Sequence, residues 1–175
     1  NGTDWLSRTQ SQAIGDLGGT ATAAQVTTGT NTAAFIVPDA FAGSDYGRRV
    51  VEVMVTGTAT VITRGSAVAW FRTPSVMNNW QLVGAAAAVT LAGTTNVTNI
   101  MVRNTGNASG AGTAMLSTAL TIDSAEVDSS TAATAAVVSA TGSAVLTGDR
   151  ILMDVNALHG SAASGLVLEL QFSAP

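Results

Sequence analysis

Residues 148–172 read GDRILMDVNALHGSAASGLVLELQF and show the clearest alternation of apolar and polar side chains in the chain. Because successive side chains of a β-strand point to opposite faces, an apolar residue at every second position is typical of a strand with one buried face. The inward side chains that this period predicts are Ile151, Met153, Val155, Leu166, Leu168, Leu170 and Phe172, and the outward ones of the first run are Arg150, Leu152, Asp154 and Asn156. Because a flexible loop, 160–165, separates the two runs, the pattern predicts a hairpin that ends the chain.

The same period recurs nearer the N-terminus. Valine occupies every second position from 51 to 55, and 58–64 alternates in the same way, which predicts a first hairpin. Segment 66–72 has apolar bulk on both faces, which is typical of a central strand. Further strands are expected over 80–83, 86–91, 97–103, 115–122 and 133–139, with a loop over 104–112.

Eight or nine short strands at a spacing of about 8 to 12 residues predict an all-β domain, and an antiparallel β-sandwich is the architecture we expect. The alanine-rich stretch 132–144 has helical propensity, but Thr, Ser and Gly interrupt it and no capping residue precedes it. We therefore expect no helix of ten or more residues. A domain of about 140 residues buries close to two-thirds of the surface of its unfolded chain, which is enough without disulfides or metal.

Residues 1–33 differ in composition from the rest of the chain. Gln, Thr, Ala and Gly dominate, and the apolar side chains are too few to close a core. We expect an extended N-terminal arm that becomes ordered against a partner, followed by one domain over 34–175. A flexible tail or a first edge strand of the domain is the alternative. The candidate anchors within the arm are Trp5, Leu6, Ile14 and Leu17.

The composition argues against several classes of function. Charged residues make up only 10% of the 175 residues, and 11 Asp and Glu against 7 basic residues, all arginine, give a net charge of −4. Nucleic acid is not an expected partner, because it requires a basic stripe. No apolar run approaches the roughly 20 residues that cross a bilayer, so no membrane is expected either. With no cysteine and one histidine, we expect no enzymatic activity, cofactor or metal site.

Two groups of titratable residues are candidates for chemical sites. Asp123, Glu126 and Asp128 form a tight acidic cluster that would suit half of a Ca²⁺ site or a carboxylate pair for glycoside hydrolysis. The spacing matches no EF-hand loop, so a solvated turn is the interpretation we favour. His159 has no second His or Cys to share a metal. A triad with Asp154 and a serine is the alternative for His159, although no serine elbow motif accompanies it.

Three segments carry a resemblance to a known family: 115–126 (MLSTALTIDSAE), 146–156 (LTGDRILMDVN) and 165–170 (GLVLEL). They resemble the C-terminal half of jelly-roll virion proteins of tailed bacteriophages, which include capsid decoration (cement) proteins and head or tail fibre proteins. The resemblance covers roughly 115–172 well and 49–71 more loosely. It implies that the predicted sandwich is jelly-roll-like.

The resemblance also implies a function. Decoration proteins of this kind are homotrimers on the outer surface of the phage head, where they stabilise contacts between major capsid subunits. The implied partners are therefore the major capsid protein and further copies of this chain, and the implied location is the virion. The alternative is a receptor- or glycan-binding head or tail fibre module, and a carbohydrate-active enzyme is a third candidate.

Arginines and aromatic residues are the remaining candidates for contact with a partner. Arg48 and Arg49 begin a predicted strand, where they form either a solvated edge or salt bridges to an acidic patch of the capsid. Trp70, Phe71 and Trp80 would stack on sugars if exposed. Burial in the core or in a trimer interface is the more common role of such rings and the one we expect.

Overall fold

The structure is a computed structural model in which residues 47–175 are described. The predicted arm over 1–33 and its boundary with the domain lie outside the described residues. The same holds for the candidate anchors Trp5, Leu6, Ile14 and Leu17. No helix formed by the described residues has the length and apolar character needed to span a membrane.

Eleven strands and two single-turn 3₁₀ helices make up the regular structure of residues 47–175. The strands are β1 (Arg48–Met54), β2 (Gly65–Arg72), β3 (Trp80–Ala88), β4 (Thr98–Asn104), β5 (Thr113–Ala114), β6 (Leu116–Thr118), β7 (Leu120–Ile122), β8 (Val137–Val138), β9 (Ala144–Val145), β10 (Arg150–Ala157) and β11 (Val167–Ser173). The two 3₁₀ helices are Ser75–Met77 and Ser129–Thr131.

The long strands form two sheets. The four-stranded sheet has the order β1-β11-β3-β9 and the five-stranded sheet the order β2-β10-β4-β5, with β7 also pairing on β4. Strands β6 and β8 form a separate pair. The pairs with a defined register are all antiparallel.

The chain crosses repeatedly between these two sheets. Strands β1 and β3 belong to the four-stranded sheet and β2 and β4 to the five-stranded one, and β9, β10 and β11 then alternate between the sheets in the same way. Such crossing connections between two packed sheets are those of a jelly roll. The predicted all-β fold, a jelly-roll-like antiparallel β-sandwich, is confirmed.

The core lies between the two sheets. Phe71 of β2 meets Phe172 of β11 edge-to-face, with ring centroids 6.2 Å apart and an interplanar angle of 82°. The inward side chains predicted within 148–172 are buried, as the period of two requires. They are Ile151, Met153, Val155, Leu166, Leu168, Leu170 and Phe172.

Both predicted hairpins are wrong. Segment 58–64 contains no strand and only an isolated bridge from Val61 to Ser164, while β1 pairs with β11. Strands β10 and β11 lie in different sheets. The apolar period indicates that a strand buries one face, but it does not indicate which strand supplies the neighbouring backbone. Proximity in sequence therefore does not predict the pairing of these strands.

Other element predictions were wrong in smaller ways. Strand β2 pairs with β10 alone among the described strands, so among them segment 66–72 lies at a sheet edge and not in the predicted central position. The predicted strands 80–83 and 86–91 are one strand, β3, whereas 115–122 is divided into β6, which pairs with β8, and β7, which pairs with β4. The stretch 132–144 contains no helix, as expected.

Candidate interaction surfaces

The outer face of the four-stranded sheet exposes large apolar side chains. Val51 and Val53 pack against the core, so Val50 and Met54, which alternate with them along β1, point away from it and are 59% and 63% exposed. Val83, at a bulge in β3 opposite β11, is 44% exposed. Val50 and Met54 lie on β1 and Val83 lies on β3, with β11 between these two strands. Several large apolar side chains exposed on one sheet face are typical of an interaction site.

A groove of about 220 Å³ crosses the same face. Ala86 and Ala88 of β3 form its floor, and the carboxylates of Glu52, Asp128 and Glu169 stand around it. Hydrogen bonds from the side chain and the backbone N–H of Ser130 lower the pKa of Asp128, so that this group stays ionised. The small floor and the acidic walls together suit the apolar stem and charged head of an arginine or lysine side chain.

Arg48 and Arg49 are the first two residues of β1, and both are exposed. They therefore lie in the same strand as Val50, Glu52 and Met54. The other predicted capsid-binding residues belong to the arm and lie outside the described residues. Of the predicted capsid-binding residues, the structure therefore describes only these two arginines.

The outer face of the five-stranded sheet is basic. In the register of β2 and β10, Trp70 lies opposite Leu152 and Arg72 lies opposite Arg150. These four side chains face outward, because Phe71 and Ile151 between them pack into the core. In the register of β10 and β4, Leu152 also lies opposite Arg103, so three arginines occupy this face.

Arg103 is held by an ion pair with Asp154 of the neighbouring strand. Both guanidinium donors Nε and Nη2 bind the carboxylate, with Nη2 2.8 Å from Oδ1, and Nη1 donates to the carbonyl of Ala111. Burial alone would raise the pKa of Asp154, but the hydrogen bonds from Arg103 and from the Ala67 backbone and the charge of Arg103 lower it. The hydrogen bond to Asp154 raises the pKa of Arg103. Asp154 does lie on the outer face, as predicted, but this pairing buries it.

A cavity of about 330 Å³ lies where the loop after β4 meets the turn before β9. Its walls combine glycine backbone, at Gly106, Gly112 and Gly142, with threonine hydroxyls. The amide of Asn104 is already bound to Ala144, Asp149 and Gly106, so it is not available to a ligand. The cavity is therefore a weaker candidate than the two sheet faces.

The predicted acidic cluster holds a loop together. Asp123 accepts a hydrogen bond from the Ala133 backbone at 2.8 Å, Glu126 from the Thr131 hydroxyl at 2.7 Å, and Asp128 from the Ser130 backbone at 2.6 Å. Over residues 47–175, no group of three or more His, Asp or Glu side chains is placed to hold a metal ion. These contacts favour the turn interpretation over half of a Ca²⁺ site.

His159 is a buried structural residue. Its Nδ1 lies 2.8 Å from the hydroxyl of Thr98, and its Nε2 lies 3.2 Å from the carbonyl oxygen of Asp123, to which it donates because a carbonyl only accepts. Asp154 is bound to Arg103 instead, so the two residues proposed for a triad have different partners.

The three aromatic side chains do not form one platform. Phe71 packs in the core against Phe172, and Trp80 is half-buried against the core. Trp70 alone is exposed, at 57%. The sequence alone does not show which of these three rings is exposed, because strand register decides which face each ring occupies.

Comparison with protein families, with curated proteins and with solved structures finds no match to this chain.

Proposed function

We propose that this chain is a virion structural protein, a decoration protein that binds the outer surface of a phage head and stabilises contacts between major capsid subunits. Two features support the proposal: the resemblance of residues 115–172 to jelly-roll virion proteins, and the jelly-roll order of the strands. The observation that carries it is the exposed apolar outer face of the four-stranded sheet, where Val50, Met54 and Val83 stand beside the acidic groove.

This face is suited to adhesion. Burying the exposed side chains of Val50 and Met54 would stabilise a complex by about 1 to 2 kcal/mol each. The groove would take a basic side chain of the capsid, because Glu52, Asp128 and Glu169 supply negative charge around an apolar floor.

Stabilisation follows if one copy touches two capsid subunits at once. Separating the subunits then also breaks the contacts of the decoration protein. A homotrimer would strengthen this effect, because after one copy has docked, the other two bind at high effective concentration. The arm would add contacts through Trp5 and Leu6, as an extended backbone laid on the capsid surface.

Binding to undecorated capsids tests the proposal. The double variant Val50→Asp, Met54→Asp places two charges in the adhesive face and is expected to bind more than tenfold more weakly than the parent. Val76→Asp is the matched control, since Val76 is 72% exposed in the 3₁₀ helix Ser75–Met77 rather than in that face. Equal binding of the double variant and the control would exclude the four-stranded sheet as the adhesive face.

A second experiment tests whether the protein stabilises the capsid and whether the N-terminal arm contributes. Particles stripped of this protein are expected to release their genome at a lower temperature, and adding the purified protein is expected to restore the original temperature. The variant Trp5→Ala, Leu6→Ala is expected to restore it only at higher concentration. No effect of removal on particle stability would contradict the decoration function.

A further inference from the structure

The five-stranded sheet places two arginines opposite each other on neighbouring strands. Arg72 and Arg150 are direct cross-strand partners, and like charges directly opposite each other in an antiparallel pair repel. Among the described residues, no carboxylate forms an ion pair with either of them, and Nη2 of Arg150 donates to the carbonyl oxygen of Ala108 at 2.8 Å. Two of the seven arginines of the chain thus occupy directly opposed positions on neighbouring strands.

A glycine turn lies against the guanidinium of Arg72, and a backbone carbonyl accepts from that of Arg150. A Cβ atom added to Gly148 would lie 2.9 Å from Nη2 of Arg72, so the guanidinium lies directly over the backbone of this turn. The bond to Ala108 orients Arg150. Two acidic side chains of β10 and of the turn before it are already engaged, Asp154 with Arg103 and Asp149 with Asn104 and the Leu146 backbone.

An exposed aromatic ring stands next to this arginine pair. Trp70 precedes Arg72 by two residues on the same face of β2, roughly 7 Å away along the strand. The indole offers a flat apolar surface with an electron-rich face, on which the C–H groups of a sugar ring stack. A guanidinium binds a carboxylate or phosphate through two parallel hydrogen bonds.

We propose that Trp70, Arg72 and Arg150 form a binding site for an anionic saccharide, with one sugar ring on the indole and its carboxylate or phosphate between the two guanidinium groups. The bound anion would relieve the repulsion between Arg72 and Arg150. The site lies on the other sheet from the proposed capsid-binding face, so this inference goes beyond the decoration function and does not depend on it.

The apolar content of this face favours a saccharide over a protein partner. A specific protein interface buries about 1,200 to 2,000 Å² in total and has an apolar centre. Strands β2, β10 and β4 expose one large apolar side chain, that of Trp70. Leu152 beside it is half-buried. One ring and two cations match a ligand of one or two sugar units better than they match a protein surface.

Binding is measured by calorimetry on the whole chain. The probes are a galacturonate hexamer, which carries carboxylates, and a mannose-6-phosphate oligosaccharide, which carries phosphates. A neutral mannose oligosaccharide, a glutamate hexamer and a thymidine hexanucleotide serve as comparisons. We expect one of the two anionic saccharides to bind at least tenfold more tightly than all three comparisons, and the one that does identifies the anionic group.

Three variants assign the binding to this site. Arg72→Gln, Arg150→Gln and Trp70→Thr are each expected to weaken saccharide binding at least tenfold. Arg64→Gln, which removes an exposed arginine from the segment between β1 and β2, is the matched control and is expected to bind like the parent. Absence of binding to both anionic saccharides, equal binding of the peptide or the nucleotide, or an unchanged affinity of Trp70→Thr would overturn the proposal. None of these outcomes bears on capsid binding.

Discussion

Asp154 of β10 receives both the guanidinium of Arg103 on β4 and, at 2.7 Å, the backbone N–H of Ala67 on β2. One carboxylate therefore links three adjacent strands of the five-stranded sheet. The register between β10 and β2 shifts at this point, between Met153 and Val155, and Ala67 has a left-handed backbone with φ of 52°. A bulge leaves a backbone N–H without its ladder partner, and Asp154 satisfies it.

Removing this carboxylate is expected to destabilise the domain. Asp154→Ala leaves the half-buried Arg103 and the Ala67 N–H without their partner, and we expect the free energy of unfolding to fall by about 2 kcal/mol. Urea denaturation measures it. Asp128→Ala is the comparison, because Asp128 binds a local loop backbone instead of joining strands, and a smaller loss is expected there. Equal losses would contradict the linking role of Asp154.

The same carboxylate predicts a dependence of stability on pH. The pKa of Asp154 is lower in the folded chain than its usual value of about 3.9, so the folded state binds the proton less readily than the unfolded state does. The stabilisation is then present above about pH 4 and is lost as the pH falls through the folded pKa. We expect the parent and Asp154→Asn to differ by the same amount at pH 7 and pH 5, and the difference to shrink by pH 3. An undiminished difference in the free energy of unfolding at pH 3 would contradict the assignment of this pH dependence to Asp154.

The edge-to-face pair of Phe71 and Phe172 joins the two sheets. Phe172 is completely buried, so Phe172→Ala is expected to lower the free energy of unfolding by about 3 to 5 kcal/mol through lost burial and a cavity. Phe172→Leu, which fills most of the space, is expected to cost clearly less. Thermal unfolding of both variants tests this, and a cost for the leucine variant equal to that for alanine would point to the ring contact rather than to volume.

His159 and Thr98 are expected to act as a structural pair. Both are buried, so Thr98→Val leaves the ring Nδ1 without its partner at a cost of about 1 to 3 kcal/mol. The double variant Thr98→Val, His159→Leu is expected to cost less than the sum of the single variants, which a double-mutant cycle in urea measures. Additive effects would show that the two side chains act independently.

Neutralising Arg72 is expected to stabilise the unliganded protein. Arg72→Gln removes the repulsion from Arg150, and we expect the free energy of unfolding to rise by about 0.3 kcal/mol at low salt, with a smaller gain at high salt. Arg64→Gln is the control. A loss of stability in Arg72→Gln, or a gain that does not depend on salt, would remove the physical reason for assigning the arginine pair to a ligand.

The sequence predicted the buried side chains of the core better than it predicted the candidate binding sites. The alternation in 148–172 predicted which side chains of β10 and β11 are buried, because a period of two follows from strand geometry alone. It also placed Asp154 on the outer face, but nothing in the run RILMDVN indicates that a residue on β4 buries it. Arg72 and Arg150 are 78 positions apart, so their juxtaposition has no local signal.

Alternation, glycine-rich turns and the scarcity of charge determined an all-β sandwich and its buried faces, because these features act over a few neighbouring residues. Tertiary structure alone decided that β10 and β11 lie in different sheets, that Trp70 is separated from Phe71 and Trp80, and that two arginines stand opposite each other. Strand pairing depends on backbone hydrogen bonds between distant segments, which are chemically the same at every position, so the side-chain pattern of one strand does not identify its neighbour.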